Sequence, residues 1–193
     1  MNNLLTLRSY LFYVKESRVD KSYQKQNSEV LYTSDSITTV DRLEIENFKI
    51  LADHNERKRV RLCTHADSNQ VLHEMLIVHG RSAYVRPHKH PGKTESTHVI
   101  EGLVDIVLFT DDGKIDRVLN MGDYASGKIF YYRMDAPVFH TLIIRSDVLV
   151  FHETTNGPFN RNATVFAPWS PDDADATSVS NFISDLNNRL NLV

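Results

Sequence analysis

The chain has 193 residues, 41% of them hydrophobic, the size of one domain able to bury its own core. With 22 basic and 25 acidic residues its formal net charge is -3, which leaves no electrostatic footprint for nucleic acid. The lone cysteine, Cys63, excludes an intramolecular disulfide framework and points to a reducing, cytoplasmic setting. No apolar stretch is long enough to cross a bilayer, so no membrane partner is expected, and residues 11–14 are too short for the apolar part of a signal peptide.

Residues 1–38 read as a polar N-terminal arm, strand-like only at 11–14 and 30–32. The patterned body follows at 39–173, and a helical tail at 174–193. Leu43, Ile45, Phe48, Ile50 and Leu51, ahead of the charged run 53–58, predict a short helix, with Ile45 off its main stripe. The basic cluster Arg57, Lys58, Arg59 and Arg61 is expected on a solvated edge strand, because Arg59 and Arg61 alternate with Val60 and Leu62. Strands are predicted at 59–63, 71–79, 83–86, 96–101, 104–110, 115–121, 129–133, 138–144 and 148–153, each rich in Val, Ile, Phe or Tyr. Between two of them, Asp111-Asp112-Gly113-Lys114 supplies the Asp-Gly pair of a tight hairpin, making 104–110 and 115–121 antiparallel neighbours. Short strands with little helix between them predict an all-β fold, an antiparallel double-sheet roll. A Pro-containing coil at 158–171 then leads to a helix capped near Ser178 or Ser180, with Phe182, Ile183, Leu186 and Leu190 on one face.

Chemistry concentrates in His88-Lys89-His90-Pro91-Gly92-Lys93-Thr94-Glu95, with Gly102 beyond. Two histidines separated by one residue on a strand point to the same side and can share an ion. Pro91-Gly92 breaks the strand, so the next one can return Glu95 to the same point. Imidazole nitrogens with a carboxylate suit zinc, iron, manganese or nickel, so one divalent transition metal ion is the expected cofactor. His140, which opens the run His140-Thr141-Leu142-Ile143-Ile144, is the expected fourth ligand. His98, three positions from Glu95, should face away from that point, while Thr97 and Val99 share its side. His73-Glu74 is not a zinc-protease helix, since Ile77 stands where the second histidine belongs.

The HxHx4Ex6G stretch resembles the first motif of the cupins, and residues 136–140 sit where the second cupin motif presents its last histidine. More narrowly, Tyr84-Val85-Arg86-Pro87-His88-Lys89-His90-Pro91, Lys93, Glu95, Phe139-His140-Thr141-Leu142, Glu153, Gly157-Pro158-Phe159 and Phe166-Ala167-Pro168-Trp169-Ser170-Pro171 resemble the WbuC-type cupin-fold metalloproteins. The resemblance covers about residues 40–173 and implies a cupin double-stranded β-helix, or jelly-roll barrel, holding a metal. It also implies an association with bacterial surface polysaccharide biosynthesis. Thr97, His98, Asp135 and Pro137 depart from that family's usual pattern, whereas the four ligand positions are intact.

Tyr84, Arg86, Lys93 and Glu153 are the expected pocket residues around the metal, Arg86 and Lys93 as anchors for a carboxylate or phosphate and Glu153 behind the ligands. Three functions fit this set: a sugar or sugar-nucleotide isomerase or epimerase, a non-catalytic metal-dependent module binding a sugar or organic acid, and an iron-dependent dioxygenase. A homodimer is the expected assembly.

Overall fold

The computed structural model describes residues 23–191; the strand expected at 11–14 lies outside them. Twelve strands and two helices follow in the order β1 Gln24–Lys25, β2 Val30–Tyr32, α1 Arg42–His54, β3 Arg59–Cys63, β4 Leu72–Gly80, β5 His88–Lys89, β6 Glu95–Glu101, β7 Leu103–Phe109, β8 Ile115–Gly122, β9 Tyr131–Met134, β10 Phe139–Ile144, β11 Val148–Asn156, β12 Val165–Phe166 and α2 Ala176–Leu190. They form a seven-stranded sheet, β1-β2-β3-β4-β11-β6-β9, and a five-stranded sheet, β12-β5-β10-β7-β8. All named strand pairs are antiparallel except β2 with β3. The chain crosses between sheets repeatedly, β4 to β5, β5 to β6 and β6 to β7, which makes the cupin-type double-sheet roll expected from the sequence.

Alternation along the strands sets the layers. Met75, Ile77, Val99 and Phe151 of the large sheet meet Val104, Ile106, Met121 and Ile144 from the small one. On the outside of the large sheet, α1 packs Phe48 and Ala52 over Val60, Leu62, Leu76 and Val78. On the outside of the small sheet, α2 packs Leu186 against Val107, Phe109, Phe139 and Ile143. Helices thus cover parts of both outer faces, and polar side chains must take up space within the roll.

Helix α1 begins with a capping box, in which Asp41 accepts from the Glu44 amide at 3.1 Å and Glu44 from the Asp41 amide at 2.9 Å. Its buried face is Phe48 and Ala52 flanked by Ile45, so Ile45 lies on the stripe, while Leu43, Ile50 and Leu51 are exposed. The cap of α2 is Asp175, which accepts from the Ser178 amide at 3.0 Å, rather than Ser178 or Ser180. Asp caps as well as Ser, and its position three residues earlier turns Ser178 into the donor. The expected apolar face is present: Leu186 is buried, and Phe182, Ile183 and Leu190 pack beside it.

No strand forms at 83–86. That segment rounds the corner between sheets and its carbonyls are met by side chains: Tyr84 O by Arg59 Nη1 at 3.5 Å, Val85 O by the Thr141 hydroxyl and Arg86 O by His88 Nδ1 at 2.7 Å. Nor is β3 an edge strand, since β2 covers its other side. The hairpin β7–β8 does turn at residues 111–114, with Gly113 at φ 84°.

Gly102, between β6 and β7, has φ 96°, and a Cβ there would run into Val148 O and stand 2.5 Å from Ser146 Oγ. Gly102→Ala is expected to cost more than about 1 kcal/mol, seen as a lower urea midpoint with an unchanged slope. An unshifted midpoint would mean that the turn relaxes freely.

Candidate metal centre

Three elements bring the histidines together. His88 lies on β5 directly opposite His140 on β10, and their ring centroids are 4.5 Å apart. His90 follows two residues after His88, with centroids 4.8 Å from His88 and 6.3 Å from His140. The turn expected at Pro91-Gly92 is present, with Gly92 at φ 75° and the Lys93 amide donating to His90 O at 3.2 Å. It delivers Glu95 to the first position of β6, where the side chain is buried. Glu95 Oε1 is 3.4 Å from His90 Nε2, and its Oε2 is 3.6 Å from His140 Nε2.

These two nitrogen–oxygen spacings lie at or just beyond those of donors sharing one ion. Donors each about 2.1 Å from one metal stand roughly 3.0 Å apart at right angles and 3.4 Å apart at tetrahedral angles. The second ring nitrogens are held as well: Nδ1 of His88 donates to Arg86 O at 2.7 Å and that of His140 to Val138 O at 3.0 Å. Each bond fixes the tautomer that leaves a lone pair on Nε2. His90 Nδ1 is 3.2 Å from the Thr164 hydroxyl. Among the described residues no group of three or more His, Cys, Asp or Glu side chains is placed so that it could hold a metal ion as it stands. The fold gathers the donors, and their side chains would have to move before they could share an ion.

Burial sets the charge states. Desolvation, aided by neighbouring imidazoles, lowers His90 to about 4 and His140 to about 3, and desolvation lowers His88 too. All three rings are therefore neutral near pH 7, the form that binds metals. Glu95 is pushed up to about 8 by burial and by Glu153, against the pull of Lys93. Glu153 is likewise raised by burial, with Arg61 and Lys93 pulling it down. Among the described residues no Lys or Arg is within ion-pair distance of either carboxyl, and a divalent ion beside them would favour their ionised forms.

The cavity holding these groups has a volume of about 310 Å³. Of the expected pocket residues, Arg86, Lys93 and Glu153 line it. Arg86 is already committed, 2.6 Å from Asp172 and 3.2 Å from the Ser170 hydroxyl, with its guanidinium over the Phe166 ring. Tyr84 is not among the lining residues; it borders a second cavity beside α2, and its hydroxyl donates to Pro171 O at 3.1 Å. His98 is exposed and packs on Phe130, as its register predicts. Trp169 lies between Phe109, Phe139 and Phe182, donating Nε1–H to Asp111 O at 3.1 Å.

Several cavity residues escape the sequence reading. Arg59 and Arg61, expected at a solvated edge, point inward from β3, and His73 and His79 do so from β4. The signal was the two-residue alternation His73, Met75, Ile77, His79, which puts both histidines on one side of the strand. His73 is buried and stacks on His65 at 4.1 Å with 4° between the planes.

Residues 40–121 match the family model described as a domain of unknown function, DUF6016. No curated protein matches the chain. Among solved structures, oxalate decarboxylase from Bacillus subtilis at pH 4.6 is 21% identical with a TM-score of 0.41 over 50% of this chain. A structure of the same enzyme described for its Mn(II) centres has the same identity and TM-score. A third, concerned with proton-coupled electron transfer in oxalate decarboxylase, is 23% identical with a TM-score of 0.39. The chain spans 24% of the length of each. At that overlap the likeness assigns no activity, and the barrel rests on its own strand order: two sheets, with His88 and His140 paired across β5 and β10.

Proposed function

We propose that this protein is a metal-dependent cupin acting on a small oxygenated ligand of the sugar or sugar-nucleotide class, as an isomerase or epimerase. His88, His90, Glu95 and His140 are the proposed ligands of one divalent transition ion, zinc, iron, manganese or nickel. The reading is carried by one observation: neutral imidazoles with backbone-held Nδ1 atoms converge on a buried carboxylate at the wall of a small-molecule-sized cavity. When bound, the ion supplies Lewis-acid polarisation of ligand oxygens.

The chain's own groups do the remaining work. Glu153 lines the same cavity and lies on β11 opposite Thr97, two residues along β6 from Glu95; this supports a role for it beside the ligand set rather than in it. Burial favours the protonated form of its carboxyl, and it is the group proposed to take a proton from one carbon and return it to the next. Lys93 balances the negative charge left when that proton departs. Apolar walls, buried Phe151 and half-buried Leu142 among them, would limit the water that competes for the proton. A role in surface polysaccharide biosynthesis belongs to the same reading.

The test is solvent-deuterium exchange. Metal-loaded protein incubated in heavy water with aldoses, ketoses and their phosphates and nucleotide conjugates should place deuterium next to a carbonyl, seen by proton NMR. Glu153→Gln should keep the metal yet lose about 10²–10⁴-fold of that rate. Ligand binding without exchange for any substrate would replace catalysis by a metal-dependent binding module.

A further inference from the structure

Beyond the histidine cluster the cavity has a second polar wall. Strand β3 sends Arg59 and Arg61 inward and β4 sends His79 inward, with Arg59 opposite His79 and Arg61 opposite Ile77. The charges on this wall do not balance. Glu29 is shared by two guanidiniums, at 2.8 Å from Arg59 Nε and 3.6 Å from Arg57. Arg57 also pairs with Asp173. Arg61 has no carboxylate within ion-pair distance among the described residues; its guanidinium Nη1 is directed at Met75 Sδ at 3.9 Å. Glu153 feels the Arg61 charge through space but does not pair with it.

His79 adds an independent sign. It is 8% exposed and sits edge-on to Phe151, yet its Nδ1 has no hydrogen-bond partner. A buried ring nitrogen in that state is uncommon and asks what would satisfy it. Burial and the charges of Arg59, Arg61 and Arg57 hold the ring neutral, so it offers one N–H beside guanidinium donors. An oxyanion accepts from both at once, and an apolar or cationic group from neither.

We propose that Arg61, Arg59 and His79 form an oxyanion subsite inside the barrel, which takes the terminal phosphate or carboxylate of the ligand. Arg61 donates through the guanidinium N–H groups not directed at Met75 Sδ, His79 through Nδ1–H, and Arg59 through the donors that Glu29 and Tyr84 O leave open. The ligand is thus bifunctional, with an anionic end on β3 and β4 and an oxygenated end at the histidines. This deepens the functional reading above by naming the ligand's charge class, but it needs only the cavity and not the ion.

Calorimetric titration at low salt with inorganic phosphate and, separately, succinate tests the subsite in wild-type protein, Arg61→Gln and His90→Ala. One equivalent of one anion should bind the wild type, bind His90→Ala within about threefold, and bind Arg61→Gln at least about tenfold more weakly. Preference for phosphate marks a phosphorylated ligand, and preference for succinate an organic acid. If Arg61→Gln does not fold, nitrogen-15 NMR of wild-type imidazoles replaces it, with the His79 Nδ1 resonance moving as anion is added. No binding by the wild type, undiminished binding by Arg61→Gln, or a still His79 resonance would overturn the proposal. Loss of binding in His90→Ala alone would place the anion at the histidine cluster and overturn it too. Metal content and deuterium exchange, measured separately, judge the catalytic reading without reference to this outcome.

Discussion

Replacing His88 and His90 together by alanine should empty the proposed metal centre. Purified wild type is expected to carry about one equivalent of a single transition metal, and the double variant less than about a tenth of that, by plasma mass spectrometry. The effect is large because two of four donors go at once. Even the loss of a hydrogen bond behind a ligand lowers metal affinity roughly 10–100-fold. Only His140 and Glu95 would remain, and a lone imidazole with one carboxylate does not compete with water and buffer for such ions. The fold should survive, because both side chains line the cavity and neither belongs to the apolar clusters. A metal-dependent gain in stability, about 4 kcal/mol when free metal exceeds Kd a thousandfold and read as a rise in melting temperature, should vanish in the variant. Equal metal content in both proteins would remove these histidines from the ligand set.

Metal-free protein should show a bell-shaped dependence of stability on pH, highest near neutrality. Glu95 is held at about 8 in the fold against an ordinary 4.5, and Glu153 is raised as well. Between those values the unfolded chain has released protons that the folded chain retains, so stability falls as pH rises from about 4.5 toward 8. At about 1.4 kcal/mol per unit, Glu95 accounts for up to a few kcal/mol of this. The histidines act in the opposite sense. His90 is lowered to about 4, His140 and His79 to about 3, and His88 and His65 also lie below 6.5. Below pH 6.5 the unfolded chain takes up protons at these five rings that the folded chain refuses, and stability falls with acid. Five imidazoles outweigh two carboxyls there, so the acid limb is the steeper. Metal should lift the alkaline limb, since a divalent charge favours ionised Glu95 and Glu153. Thermal melts from pH 5 to 9, with and without metal, check both limbs; a flat alkaline limb in metal-free protein would mean that the carboxyls are ionised and hydrated.

The local rules reached far along this chain. Alternation of apolar residues located β3, β4, β6, β7, β8, β10 and β11 to within a few residues, because side chains on a strand must choose a face. The Asp-Gly turn joined β7 to β8 for a purely local reason, the positive φ of Gly113. The gathering of His88, His90 and Glu95 followed from spacing and one Pro-Gly break. Local rules failed where a partner decided the outcome. Residues 83–86 have strand-like composition, but their carbonyls are met by the side chains of Arg59, Thr141 and His88, so no ladder forms.

By itself the sequence determined that β3 has a basic side and an apolar side. Only the tertiary structure decided which side is the interior. Alternation is symmetric under exchange of the two faces, and the usual assignment of charge to solvent holds only when a sheet has one wet face. Here α1 covers the apolar side of β3 and β4 with Phe48 and Ala52, so Val60 and Leu62 find their apolar contacts outside the roll. Arg59, Arg61 and His79 are then turned toward the cavity that holds the histidines. His140 was likewise only a candidate until β10 paired with β5, because a contact between positions 52 residues apart depends on which strands become neighbours. Local pattern fixes the face of each residue, and long-range packing fixes what that face meets.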